Sequence, residues 1–281
     1  MKGIDIARLV ALGAIWGASF LFVRIVAPVL GPILTADLRM LVAGVALVVW
    51  FRFSGFDVQW RRWGLQYVLV GMLTSGMPFI LYAYAALQMT AGQMAVLNAT
   101  SPMWGALMSA LLLDERLTTR RILGLLLGVA GVALITRPAG DSFALPSVAA
   151  CLGAAWCYGF TGVYLRRWAP DVPSKGLAVG TQVASGLIVL PLAALWPPLA
   201  APTPLVIGSV LTLGLVCGAI GYVLYFRLIA DLGATAALTV TYLTPVFGLL
   251  WGALFLAEVL TLPMLAGAAL VMLGTAFVLR S

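Results

Sequence analysis

Long apolar runs separated by short polar connections make up almost the whole chain. A helix needs about 20 mostly apolar residues to cross a bilayer, and Pro or Gly marks several of the connections. Such runs lie at 6–26, 33–51, 64–86, 91–113, 120–137, 145–165, 176–196, 205–229, 234–257 and 262–279. The pattern therefore predicts an all-α polytopic membrane protein with ten transmembrane helices.

The composition excludes most soluble functions. Of the 281 residues, 63% are hydrophobic and 9% are charged, whereas a soluble domain is about half apolar and about a quarter charged. The net charge of +7 comes from basic residues between apolar runs, so we expect no nucleic acid as a partner. Histidine is absent, and Cys151, Cys157 and Cys217 are scattered within apolar runs. We therefore expect neither a metal site nor a cofactor.

The distribution of Lys and Arg predicts the orientation. With ten spans, 13 of the 16 basic residues fall on the side that carries both termini, and Arg24, Arg39 and Arg137 fall on the other. Cytoplasmic loops carry the excess of basic residues. Both termini of this multi-pass protein are therefore predicted to be cytoplasmic.

The chain repeats itself. Residues 91–137 align without gaps with residues 234–280, and 15 of the 47 pairs are identical, Pro102/Pro245 and Glu115/Glu258 among them. The sequence thus predicts two five-helix halves (5+5), at 1–138 and 144–281. Because five is odd, the second half enters the membrane inverted, which is the architecture of alternating-access transporters.

Three segments resemble the drug/metabolite transporter superfamily. They are the start of the first run (Ala14-Ile15-Trp16-Gly17-Ala18-Ser19-Phe20), Arg39 early in the second run, and the stretch from Pro102 through Glu115. The return of that stretch as Pro245 through Glu258 resembles the EamA branch. Within this branch the chain is similar to YddG-type amino-acid exporters.

The resemblance covers the whole chain as two EamA repeats. It implies ten helices, cytoplasmic termini and export of metabolites from a bacterial inner membrane. The second half departs from the pattern, since Trp16-Gly17 becomes Trp156-Cys157, and Arg39 has no counterpart in Gly180-Thr181-Gln182.

Two prolines at corresponding repeat positions, Pro102 and Pro245, indicate a substrate site near the bilayer midplane. Each proline frees a carbonyl one turn earlier, near Asn98 and Thr241. In lipid, such a carbonyl must face protein or a watery cavity. The alternative is that each proline only kinks a packed helix.

Aromatic and hydroxyl side chains deep in the spans predict a cavity between the halves, with spans three, four, eight and nine around it and spans five and ten at the periphery. For any single aromatic residue, core packing or contact with lipid is the alternative. With Asn98 and Thr241, the predicted substrate-binding residues are Trp16, Ser19, Tyr82, Trp104, Trp156, Tyr158, Tyr225 and Tyr242.

Three charged residues are candidates for gating. Glu115 and Glu258 precede Leu-Thr before the next helix, so each carboxylate either caps that helix or exchanges partners as the halves rock. Arg39 either snorkels to the outer surface or attracts an anionic group. Gln182 lies mid-span and needs a polar partner, and the small residues from Gly124 to Gly131 predict close helix packing within the monomer.

An exporter of small neutral or zwitterionic solutes, such as apolar or aromatic amino acids, fits these features best. The nine carboxylates lie at or near span ends, which argues against a cationic substrate and against a mid-membrane proton site. The alternatives are a proton-coupled exporter of other metabolites or drugs, a channel, or an intramembrane enzyme; the last lacks histidine and mid-span acids. The expected partners are the substrate and the lipid bilayer, and a monomer is favoured.

Overall fold

A computed structural model describes residues 3–136, 145–233, 237 and 239–279, and within these ranges it contains helices and no strands. Lys2, Arg137, Asp141 and Arg280, and the predicted start of the ninth span at 234, lie outside the described residues. The helices are α1 (Gly3–Leu30), α2 (Pro32–Phe53), α3 (Trp60–Ala85), α4 (Ala91–Leu112), α5 (Thr119–Ile135), α6 (Leu145–Trp168), α7 (Ser174–Leu195), α8 (Pro204–Leu232), α9 (Val240–Leu256) and α10 (Leu262–Leu279).

Eight helices of the described chain are long and apolar enough to cross a membrane, whereas α9 is apolar but shorter. Helix α5 has 17 residues. The protein is therefore an all-helical polytopic membrane protein, as its hydropathy pattern indicates. The count of ten spans and the 5+5 arrangement remain predictions.

Helix α4 is interrupted at the predicted proline site. Its first segment ends at Asn98 and its second begins at Ser101, so that Pro102 is the second residue of a new helix, where its missing N–H costs least. The Asn98 carbonyl accepts a hydrogen bond from the Ser101 hydroxyl at 2.6 Å. This carbonyl therefore already has a partner inside the protein.

Helix α9 runs through Pro245 without a break. The hydroxyl of Thr244 donates to the carbonyl of Val240 at 3.1 Å, and Pro245 is buried. The two prolines thus occupy matching sequence positions but shape their helices differently.

Helices α3 and α8 each contain a π-helical stretch, Met72–Gly76 and Thr212–Ile220. A π-helical turn inserts an extra residue and rotates the side chains that follow it. In both helices the aromatic residues that line the central cavity come after this stretch. Tyr82 follows it in α3, and Tyr222 and Tyr225 follow it in α8.

Helices α5 and α10 pack closely through glycine. A Cβ atom added at Gly124 would lie 2.6 Å from the carbonyl oxygen of Gly274, and one added at Gly131 would lie 2.6 Å from that of Gly267. The small residues of span five therefore permit helix contact within one chain, as predicted.

Helix α1 packs against α9, and α6 packs against the second segment of α4. Gly17 and Gly159 stand at the closest approaches, where an added Cβ atom would meet backbone atoms of the facing helix. The facing residues occupy matching repeat positions: Thr244, Phe247 and Gly248 opposite Gly17, and Ser101, Trp104 and Gly105 opposite Gly159.

Candidate functional site

A central cavity of about 760 Å³ lies among helices from both halves of the sequence. One end, called the closed end below, is formed by the buried residues Val23, Arg39 and Phe79. The other, called the open end, reaches exposed residues at Gly162, Arg166, Ser174 and Leu279. A cavity of this size and one-sided access suits a small metabolite.

Aromatic rings form much of the cavity lining. The ring of Trp16 lies 5.2 Å from that of Tyr225, and Phe20 meets Tyr82 edge to face at 5.3 Å. Tyr82 also stacks on Tyr158 at 6.3 Å. Such pairs hold one another in fixed orientations, which gives the cavity rigid apolar sides.

Polar groups lie between these aromatic rings. The Tyr82 hydroxyl donates to Asn98 Oδ1 at 2.8 Å, which orients the amide beside the break in α4. The Ser19 hydroxyl donates to the carbonyl of Trp16 at 2.7 Å. Thr161 lines the cavity from α6 and donates to the carbonyl of Cys157 at 2.8 Å.

The lining residues come in pairs from matching places in the two halves. Since Gly17 and Gly159 make equivalent contacts, the counterpart of Trp16 is Tyr158 rather than Trp156. The register differs here from the sequence comparison because Trp-Gly at 16–17 matches Tyr-Gly at 158–159. Further lining pairs are Ser19/Thr161, Thr74/Cys217, Phe79/Tyr222, Tyr82/Tyr225, Asn98/Thr241 and Ser101/Thr244.

Ten of the residues singled out by the sequence line this cavity. They are Trp16, Ser19, Arg39, Tyr82, Asn98, Pro102, Glu115, Tyr158, Tyr225 and Thr241. Spans three, four, eight and nine contribute to it as predicted, and α1, α2, α6 and α7 contribute as well. Helices α5 and α10 touch it only near the open end, through Arg121, Val278 and Leu279.

Three predicted substrate-binding residues lie away from the lining. Trp104 packs where α4 crosses α6, its Cβ atom close to the space above Gly159. Trp156 stacks on Phe160 at 5.2 Å, and Tyr242 is half-buried in α9. A substrate role for these three stays a prediction without a cavity contact to support it.

Phe79, Thr161 and Tyr222 are among the lining residues outside the predicted substrate-binding set. The internal repeat could have identified Thr161, the counterpart of Ser19, whereas Phe79 and Tyr222 are counterparts of each other. Tyr222 also accepts a hydrogen bond from Gln182 at 3.4 Å, and Gln182 donates to Ser75 at 2.8 Å. Gln182 therefore joins α7 to α3 and α8, the interhelical role that its mid-span position favoured.

Glu115 forms ion pairs at the open end. Its carboxylate binds Arg166 at 2.7 Å and Arg121 at 3.0 Å. Hydrogen bonds from Arg166 first and Arg121 second hold the pKa of this carboxyl below its usual range. The side chain does not cap the following helix, because Thr118 supplies the oxygen that accepts the N–H of Arg121.

Glu258 lies beyond the closed end and reaches across to the first half. Its two oxygens accept the N–H groups of Ala91 and Gly92 at 2.8 and 3.3 Å. It caps α4 rather than the helix that follows it, where Thr261 accepts the N–H of Met264. Nearby, Arg24 donates to the carbonyl of Ala86. At this end α1 is therefore joined to the turn between α3 and α4, and the start of α4 is joined to the segment after α9.

Asp37 is buried in α2 even though it lies near the start of its span. Its side chain is 1% exposed, and neither carboxylate oxygen has a hydrogen-bond partner in the described structure. Sequence position alone placed it near the membrane surface. Asp37 does not line the central cavity.

Comparison with known protein families gives a match over both halves of the chain. A model of the EamA-like transporter family matches residues 5–137 and again residues 145–280. A solved crystal structure superimposes on 99% of this chain and 96% of its own with a TM-score of 0.67 at 20% identity. It therefore shares the fold.

Several curated proteins are similar over most of their length. The uncharacterized transporter YvbV of Bacillus subtilis is 25% identical over 91% of this chain and 85% of its own. Protein PecM of Dickeya dadantii is 24% identical over 92% and 86%. The pseudopaline exporter CntI of Pseudomonas aeruginosa is 26% identical over 81% and 80%.

Proposed function

The chain belongs to the EamA-like transporter family, and on this premise we propose that it exports small neutral or zwitterionic metabolites. Amino acids with apolar or aromatic side chains are the leading candidates. The names of its relatives indicate transporters rather than enzymes, and one relative is named as an exporter. Export from the cytoplasm is the direction we propose.

The observation that carries the proposal is the central cavity. It is large enough for a small metabolite, reaches the protein surface at one end, and is sealed by buried side chains at the other. A transporter that alternates between two openings passes through such one-sided states. The basic residues at the open end, Arg121 and Arg166, lie at helix ends that the charge distribution assigns to the cytoplasm, so this state faces inward in our proposal.

Two sets of contacts support an inverted relation between the halves at 1–138 and 144–281. Gly124 and Gly267 are repeat counterparts, as are Gly131 and Gly274. The contact Gly124–Gly274 therefore corresponds, in the other half, to the contact Gly131–Gly267. The surroundings of Gly17 and Gly159 interchange in the same way. Interchange of this kind is what a two-fold axis produces, and it allows the halves to swap conformations so that the opposite end opens.

The substrate class follows from the lining. Tyr82, Tyr158 and Tyr225 offer ring faces and hydroxyls, and Asn98 offers an amide. Among the described lining residues the one carboxylate is Glu115, which Arg121 and Arg166 already hold at the open end. A permanently cationic substrate therefore finds no counter-charge deeper in the cavity.

Counterflow in proteoliposomes tests the transport function. Vesicles preloaded with unlabelled amino acid are diluted into labelled amino acid, and a carrier accumulates label transiently and saturates. A panel of apolar, aromatic, acidic and basic amino acids identifies the preferred class. Linear, non-saturating entry without accumulation contradicts a carrier and indicates a channel.

A further inference from the structure

Arg39 places a positive charge deep inside the protein. It lies in α2, its residue exposure is 8%, and it contributes to the closed end of the cavity. Its guanidinium carbon lies 3.7 Å from the ring centroid of Phe79. This stacking holds the guanidinium plane by one face, so its N–H edge is left for another partner.

The described structure supplies no anionic partner for this charge. Arg39 forms no ion pair with a described residue, and its Nε atom has no hydrogen-bond partner. Asp37 is two residues away, which places it on a different side of the helix, and both its oxygens lack partners as well. A buried charge without a partner is costly, and such a cost is tolerated where a ligand supplies the counter-charge.

The charge also breaks the pairing of the two halves. The contacts Gly44–Val183 and Leu41–Gly186 relate α2 to α7, and the same relation makes Thr181 the repeat counterpart of Arg39. Both residues line the cavity. One half therefore supplies a guanidinium where the other half supplies a hydroxyl, and this difference can fix the orientation of a substrate.

We propose that Arg39 is the subsite for a carboxylate group of the substrate. The transported molecule is then a zwitterion such as an amino acid, whose carboxylate binds the guanidinium edge and whose apolar body lies among Phe20, Tyr82 and Tyr158. Guanidinium and carboxylate are planar and match in a two-point hydrogen-bonded pair. This inference rests on the proposed function and names its substrate class.

Binding of three probes that share a phenyl group tests the subsite. L-phenylalanine carries both charged groups, 3-phenylpropionate carries only the carboxylate, and phenethylamine carries only the amine. Quenching of tryptophan fluorescence on purified protein reports binding, since Trp16 lines the cavity. Arg39→Gln is compared with Arg52→Gln, which removes a charge from the exposed end of the same helix.

We expect Arg39→Gln to weaken binding of the two carboxylate probes by about 10- to 100-fold, the worth of a hydrogen-bonded charge pair. Arg52→Gln should stay within about twofold of the unaltered protein. Arg39→Lys keeps the charge but loses the two-point geometry and should fall between them. It also serves as the test if Arg39→Gln does not fold, as judged by gel filtration.

Retention of carboxylate binding by Arg39→Gln overturns the subsite. So does failure of the unaltered protein to bind either carboxylate, or tighter binding of phenethylamine than of phenylalanine. Counterflow with the same probes separates this inference from the transport function. If Arg39→Gln leaves counterflow unchanged, the carboxylate subsite is contradicted and the transport function stands. If binding depends on Arg39 but no counterflow occurs, the transport function is contradicted and the subsite stands.

Discussion

The carboxylate of Glu258 accepts the backbone N–H of Ala91 at 2.8 Å, across 167 residues of sequence. Its second oxygen accepts the N–H of Gly92 at 3.3 Å. Thr90 and Gln93 satisfy the neighbouring N–H groups through a capping box. The free donors at the start of α4 are thus all satisfied, and two of them depend on a residue of the other half.

Glu258→Gln should loosen the end of the protein that is closed in this state. The neutral amide is a weaker acceptor for Ala91 and Gly92, and loss of a helix cap costs about 1–2 kcal/mol. We expect a lower unfolding temperature in detergent and faster labelling from outside of a cysteine at Val23, which is buried at the closed end.

Glu115→Gln is the matched control, because Glu115 is the repeat counterpart at the opposite end. Arg166, one of its partners, is 62% exposed, and exposed ion pairs contribute little to stability. Equal external labelling of the Val23 cysteine in both variants contradicts a role for Glu258 in holding this end closed.

Tyr82→Ala should lower the transport rate by about tenfold, because the ring makes two aromatic contacts and its hydroxyl orients Asn98. Tyr84→Ala, two residues further along α3, is the control. Tyr84 is 41% exposed and does not line the cavity. Initial counterflow rates per folded molecule provide the measurement, and equal rates in the two variants contradict a substrate site at Tyr82.

Gly131→Val should destabilise the protein without a change in the cavity. The new side chain meets the Gly267 carbonyl between α5 and α10, and overpacking costs about 1–3 kcal/mol. Gly208→Val is the control, since no atom lies within 4 Å of a Cβ at that position. Thermal unfolding in detergent compares them. An unchanged midpoint for Gly131→Val contradicts the packing described here.

The hydropathy pattern predicted the helices well because each span must be apolar over a fixed length. The run at 262–279 coincides with α10, and the run at 33–51 lies within α2. The mid-span position of Gln182 predicted an interhelical hydrogen bond for the same reason, since lipid offers no partner to an amide.

The direction of each aromatic side chain could not be predicted in the same way. A lipid-facing surface and an aromatic cavity use the same residue types, so Trp16 and Trp156 looked alike in sequence. Only the packing of α6 on α4 turns Tyr158 toward the cavity and Trp156 away from it. The sequence also did not predict the partner of Glu258, because Ala91 lies 167 residues away from it.

Cysteine labelling tests the orientation of the chain. Ala201 and Thr119 are both exposed and lie in loops or at a helix start on opposite sides in the proposed topology. An impermeant maleimide added to intact cells should modify Ala201→Cys and leave Thr119→Cys unmodified until the cells are opened. The reverse pattern contradicts cytoplasmic termini.

Transport should not require a proton gradient. A carboxylate that carries protons must change its protonation state near neutral pH. Glu115 at the open end and the buried Asp37 are two candidates for this role. The pKa of Glu115 is lowered by Arg166 and Arg121. As the pH falls, the carboxylate therefore keeps its charge and its ion pairs through the usual carboxyl range, and it loses them only when the pH passes the lowered pKa. Glu115 therefore stays ionised between about pH 6 and 8. Asp37 is buried and without partners in the described structure but lies outside the cavity lining.

We accordingly expect substrate efflux from proteoliposomes to keep its initial rate within about twofold when an uncoupler collapses the proton gradient. The same should hold across that pH range and in the variant Asp37→Asn. Loss of efflux with the uncoupler and in Asp37→Asn, from vesicles that still retain a trapped dye, would instead identify Asp37 as the proton carrier, because it is the buried acid that Arg does not neutralise.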